Sequence, residues 1–161
     1  MTCYKILALV ALSFSLVFLG TALFGDYWIS ASVTHEGIWL ACSGLFCSHY
    51  SSGIRFLDVT RTFIIFSCIA ASSAGILAFS SFNSPFLGKF SKVLIAAILS
   101  FVSAGCVVIS MAVYTGEIGK VLPNIASSHY AWSFILGWTA FPLLLIAGAL
   151  FLAAHVFSPP E

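Results

Sequence analysis

The sequence predicts an all-α membrane protein, a four-transmembrane-helix bundle carrying a small disulfide-clamped extracellular β-sheet. Three observations lead there. Charged residues make up 7% of the chain and hydrophobic residues 61%, whereas about a quarter of a typical soluble domain is charged. So few charges cannot cover a surface in water, and lipid must be the main solvent. Four apolar runs each reach the roughly 20 residues that carry a helix across a hydrocarbon core. One further stretch, Trp28 to Cys47, crowds tryptophan, paired cysteines, charge and turn residues together.

The first span is expected over 6–24, just after Lys5. Thr21-Ala22 offers small residues for signal cleavage, but the run exceeds a usual signal core and three more spans follow, so a retained helix is expected. Gly25-Asp26 ends it, and polar and aromatic character persists through an outer loop at 25–61. The second span is expected over 62–82. The inner loop, 83–92, carries the breakers Pro85 and Gly88 with Lys89 and Lys92. The third span follows over 93–114, then a second outer loop over 115–131 with Glu117, Lys120 and Pro123, then a fourth span over 132–157. Pro142 removes a backbone donor and should bend that last helix. The layout over 1–161 reads as one four-span domain without an internal repeat.

Lysine and arginine do not decide the orientation. Lys5, Lys89 and Lys92 lie on one side, and Arg55, Arg61 and Lys120 on the other. Cysteine decides it. Of five cysteines, Cys68 and Cys106 fall inside spans as small packing residues. Cys3 precedes the first span and is a candidate for reversible S-acylation. Cys42 and Cys47 remain as the bonded pair, and a disulfide needs an oxidising compartment. The long loop is therefore expected outside or in a lumen, with both termini in the cytosol. Gly37-Ile38-Trp39-Leu40-Ala41-Cys42 is strand-compatible, Ser43-Gly44 supplies a reversal, and Phe46 to Tyr50 can run back. Trp28 is expected to anchor the sheet at the membrane interface, and Trp39 to cover its inner face.

Span centres hold no charge, which argues against a pump or ion-coupled transporter built from one copy. They hold small residues four apart: Ala71 and Gly75, Ser100 and Ala104, Ser133 and Gly137, Ala149 and Ala153. Such pairs let helices approach closely in lipid, within the bundle or toward a partner. Asp58 and Arg61, three apart, can pair locally.

Trp28, Gly37-Ile38-Trp39, Cys42 and Cys47 in this order resemble the Trp…Gly-Leu-Trp…Cys…Cys signature of the claudin and peripheral myelin protein superfamily, and Arg61 matches an arginine often found there. The resemblance covers the whole chain. It implies four spans, termini inside and a larger first outer loop. Within the superfamily, Met111 to Thr115, Trp132 to Trp138, Gly148-Ala149-Leu150 and Ala154-His155 resemble the natural killer cell granule branch. The Trp132–Trp138 segment, Thr60 to Phe63 and the Cys-x4-Cys spacing also resemble the lens fibre intrinsic branch. Tight-junction claudins differ in two respects: the tail Ser158-Pro159-Pro160-Glu161 lacks their hydrophobic last residue, and the loop after Cys47 carries only Arg55 and Asp58 before Arg61.

Other chemistry is not expected. His35, Glu36, Cys42, Cys47 and His49 are metal-ligand types, but zinc needs reduced thiols and four converging ligands. The histidines could sense pH in an acidic lumen, with solvated loop residues as the plainer reading. His155 should sit near the headgroups. A net charge of +1 does not suit a nucleic-acid binder. Neither Asn83-Ser84-Pro85 nor Asn124-Ile125-Ala126 is a glycosylation sequon. No catalytic constellation, cofactor motif or small-molecule substrate site is read. The resemblance implies a non-enzymatic protein of plasma or lysosome-related granule membranes, supporting cytotoxic granule exocytosis through homo- or hetero-association with other membrane proteins. The runner-up is a lens-type junctional protein, and the third reading is a channel or transporter subunit.

Overall fold

The computed structural model describes residues 2–50, 53–121 and 128–158. Pro123, Asn124 and the tail Pro159-Pro160-Glu161 lie outside them. Four long helices dominate: α1 (Thr2–Phe24), α2 (Arg55–Ser80), α3 (Lys92–Val121) and α4 (Trp132–Val156). Each is long and apolar enough to cross a membrane. Large apolar side chains on their outer faces stay uncovered, such as Val17 (62% exposed), Ile76 (71%) and Phe79 (71%). In water such continuous apolar surface would aggregate, and in a bilayer it is the solvated face.

Three helices start or end beyond the expected spans, with α1 beginning at Thr2 rather than 6. α2 starts at Arg55 rather than 62, and α3 runs to Val121 rather than 114. A helix satisfies its own backbone wherever it lies, so it need not stop where the apolar run stops. The buried face of α2 is continuous from the start, at Leu57, Thr60, Ile64, Ser67, Ala71, Ala74 and Ala78, the 3–4 spacing of one helical stripe. The loop expected at 83–92 contains a hairpin, β5 (Phe86–Leu87) with β6 (Phe90–Ser91). Gly88 turns it with φ +63°, and Lys92 already belongs to α3.

α1 packs chiefly on α4, α2 on α3 and α3 on α4, while the α1–α2 side is loose. The seams are small and polar, as close approach in lipid requires. Ser67 and Ser103 exchange bonds across α2 and α3. The Ser67 hydroxyl reaches the Ser103 carbonyl at 3.0 Å, and the Ser103 hydroxyl the Ser67 carbonyl at 2.9 Å. Ser110 Oγ donates to the Thr60 carbonyl at 2.9 Å. Ala71, Ser100, Ala104, Ser133 and Gly137 are buried in the bundle, whereas Ala149 faces outward.

Above one end lies an antiparallel sheet in the order β4-β3-β2-β1-β7. Its strands are β1 (Ile29–Ser30), β2 (Thr34–Glu36), β3 (Leu40–Ser43), β4 (Phe46–His49) and β7 (His129–Tyr130). The last comes from the segment between α3 and α4, so the α1–α2 and α3–α4 connections build one sheet.

Candidate functional site

The last four carbonyls of a helix have no partner within it, and those of α1 point at the sheet. Gly25 N–H takes the Thr21 carbonyl at 2.8 Å. The Trp28 indole Nε1–H donates to the Ala22 carbonyl at 2.7 Å, and the Trp39 Nε1–H to the Leu23 carbonyl at 2.8 Å. Two tryptophans thus cap one helix. This corrects the expectation for Trp28: it is no interfacial anchor but a fully buried residue (0% exposed). It packs edge-on against Tyr114 of α3 and Phe134 of α4, with ring centroids at 4.6 and 6.0 Å.

Trp39 is held from its other side by α2. The Arg61 guanidinium lies over its ring, 4.7 Å from the centroid. Arg61 Nε donates to the Ile38 carbonyl at 2.8 Å, and Nη1 to Asp58 Oδ1 at 2.9 Å. Gly37 lets this happen. A Cβ there would stand 2.7 Å from both the Asp26 Cα and the Gly25 carbonyl oxygen, so only glycine lets the β2–β3 turn lie against the chain leaving α1. Trp28, Gly37, Trp39 and Arg61 therefore meet as one clamp between sheet and bundle.

Cys42 and Cys47 form a disulfide across β3 and β4, in a directly opposed pair. Gly44, at φ +60°, makes the two-residue turn between them. Below, Tyr50 Oη donates to Glu36 Oε2 at 2.9 Å. Burial, then this bond and the Glu36 charge, push the Tyr50 phenol well above its ordinary value.

The far end of the sheet is apolar and uncovered: Val33 (70% exposed), Leu45 (98%) and Phe46 (85%). Val33 and Leu45 belong to adjacent turns, joined by Gly44 N–H to the Val33 carbonyl at 2.9 Å, and Phe46 opens β4 beside them. β4 is one of the sheet's two edge strands, opposite β7, and is exposed throughout. An open edge and an apolar tip are the elements of protein recognition. His35 is stacked on Tyr27 at 4.2 Å, and His49 is exposed. Among the described residues, no three His, Cys, Asp or Glu side chains gather as metal ligands. Cys3 is an exposed free thiol, and Cys68 and Cys106 are half-buried free thiols.

β7 is the part of the site that sequence reasoning missed. Ile29 and Ser30 pair with Tyr130 and His129, and Tyr130 stacks on Phe134 at 4.2 Å. Two residues carry no alternation pattern, so the sequence offered only weak β-compatible signals there.

A family model described as the PMP-22/EMP/MP20/Claudin family matches residues 2–151. The chain is 35% identical to Protein NKG7 of Homo sapiens over 159 residues, covering 95% of this chain and 92% of that one. It is 32% identical to the Lens fiber membrane intrinsic protein of Homo sapiens over 147 residues, covering 86% and 84%. It is 27% identical to Claudin domain-containing protein 2 of Mus musculus over 141 residues, covering 81% and 74%.

Proposed function

The chain belongs to the PMP-22/EMP/MP20/claudin family of membrane proteins, and from that premise we propose that it acts without catalysis, by associating with other proteins of its own membrane through a rigidly mounted outer sheet. The observation that carries this is the clamp of Trp28, Gly37, Trp39 and Arg61, which fixes the sheet to the bundle while β4 and the Val33–Leu45–Phe46 tip stay open. A preorganised surface loses little entropy on binding.

The sheet faces an oxidising compartment, outside the cell or inside a granule, and both termini lie in the cytosol. The disulfide supports this side. The cellular role in this proposal is support of cytotoxic granule exocytosis, at granule and plasma membranes. Its support is the likeness to Protein NKG7, which extends over nearly all of both chains. A junctional role, with sheets meeting across apposed membranes, is the second reading. The Cys-x4-Cys hairpin and the likeness to the lens protein favour it.

Proximity labelling in the native cell, with the labelling enzyme fused to either terminus, tests both. Granule-membrane neighbours and impaired degranulation on deletion are expected. Lens-restricted transcripts with neighbours at cell–cell contacts would replace the granule role with the junctional one.

A further inference from the structure

The loose side of the bundle, between α1 and α2, is an apolar groove of about 450 Å³. Its walls are Ile6, Val10, Phe14 and Val17 of α1, Phe79 of α2 and Phe82 of the turn just after α2. From Ile6 to Val17 it runs for about 16 Å at 1.5 Å per residue, half of a hydrocarbon core about 30 Å thick. The α1 wall is thus one leaflet deep, and Phe79 and Phe82 face it at the Lys5 end.

Its shallow end is cationic. Lys5 Nζ stands 5.5 Å from the centroid of the Phe82 ring, which is itself part of the groove wall. Lys89, Lys92 and His155 lie at the same end of the bundle, and Lys92 is buried with its ammonium on the neutral Ser84 hydroxyl at 2.7 Å. Among the described residues this end holds no Asp or Glu, because Asp26, Glu36, Asp58 and Glu117 all belong to the sheet end.

The walls do not suit a partner helix. Helices meet in lipid through Gly, Ala and Ser, yet these walls are branched and aromatic. Ser13, the small residue among them, spends its hydroxyl proton on the Leu9 carbonyl at 2.7 Å. A flexible hydrocarbon chain fits such a cleft better than a second backbone.

We propose that the α1–α2 groove binds an anionic phospholipid, one acyl chain lying between the helices and the headgroup resting on Lys5. The test uses the full chain in detergent, native mass spectrometry, and dioleoyl phosphatidylserine against dioleoyl phosphatidylcholine. The serine lipid should be retained about fivefold better, the factor one lysine contributes at an anionic surface. Lys5→Gln should erase that preference. Val10→Trp should fill the groove and reduce retention of both lipids. A diazirine placed in the acyl chain should crosslink the wild-type protein at 6–17 and 79–82, a readout independent of how the variants fold. Equal retention of the two lipids, a preference that survives Lys5→Gln, or crosslinks elsewhere would overturn the proposal. So would a groove filled by a chain-linked acyl group on Cys3, seen as an intact-mass increment that hydroxylamine removes.

Discussion

The guanidinium of Arg61 in α2 stands over the Trp39 ring, 4.7 Å from its centroid, while its Nε donates to the carbonyl of Ile38, the residue just before. One side chain thus grips the entry to β3 by both its backbone and its aromatic face. Trp39 passes the grip on, since its indole caps α1 at Leu23. Two helices and a sheet are tied through a single stacked pair.

Arg61→Lys should therefore behave as a loss despite keeping its charge. Lysine has no planar face to stack, and its three donors share one nitrogen, so they cannot span Ile38 and Asp58 as the Arg61 Nε and Nη1 do. A destabilisation of about 1–2 kcal/mol is expected, read as a lower unfolding temperature in detergent. An unchanged midpoint would mean that the stack contributes nothing.

Two glycines should fail for different reasons. Gly37→Ala drives a methyl into the backbone at Gly25 and Asp26 and should cost about 1–3 kcal/mol as overpacking. Gly44→Ala meets nothing within 4 Å and should lose only about 1–2 kcal/mol from its left-handed backbone. Gly44→Asn should recover part of that, whereas Gly37→Asn should not. Thermal unfolding of the four variants checks the contrast.

Cys42→Ser should lower stability by about 2 kcal/mol on the chain-entropy estimate for so short a loop. The hairpin should loosen while the helices persist, giving unchanged far-ultraviolet helicity and faster amide exchange at 40–49. Thiol labelling of intact cells should find Cys42 and Cys47 unreactive until a reductant is added. Labelling without reductant would overturn both the bond and the side of the membrane assigned to it.

Tyr50 makes the sheet sensitive to alkali. Its phenol is raised in the folded state, so the folded form favours the neutral group. That stability is fully present below about 10, the ordinary tyrosine value, and is lost as pH rises past it. The wild type should therefore lose stability above that pH faster than Tyr50→Phe. Parallel unfolding curves for the two proteins above pH 10 would contradict this.

The helices were legible because lipid demands long apolar runs, and the disulfide because Cys42 and Cys47 alone lie in a loop between them. The Asp58–Arg61 pair follows from helical spacing and forms at 2.9 Å. The early start of α2 was written in the 57-60-64-67 stripe, although its polar neighbours Arg55, Asp58 and Arg61 obscured it. The double cap was harder to see. Composition puts a tryptophan near a helix end, but the aim of an indole N–H depends on where the chain returns, and that return is made by Gly37. β7 was illegible because its two residues gain their role from a strand far earlier in the chain, with Ile29 opposite Tyr130.

The same pairing sets an order of events during synthesis. Domains assemble from the N-terminus as the chain emerges, so β1 to β4 can form once the segment between α1 and α2 has been made. One edge of β1 must then wait until His129 and Tyr130 arrive with the start of α4, where Ala131 N–H takes the Trp28 carbonyl and Ser133 N–H the Tyr27 carbonyl. The sheet is finished only when the final helix is in place, so a nascent chain stalled before that point displays the β1 edge unpaired, an edge that β7 covers in the finished protein while β4 stays open.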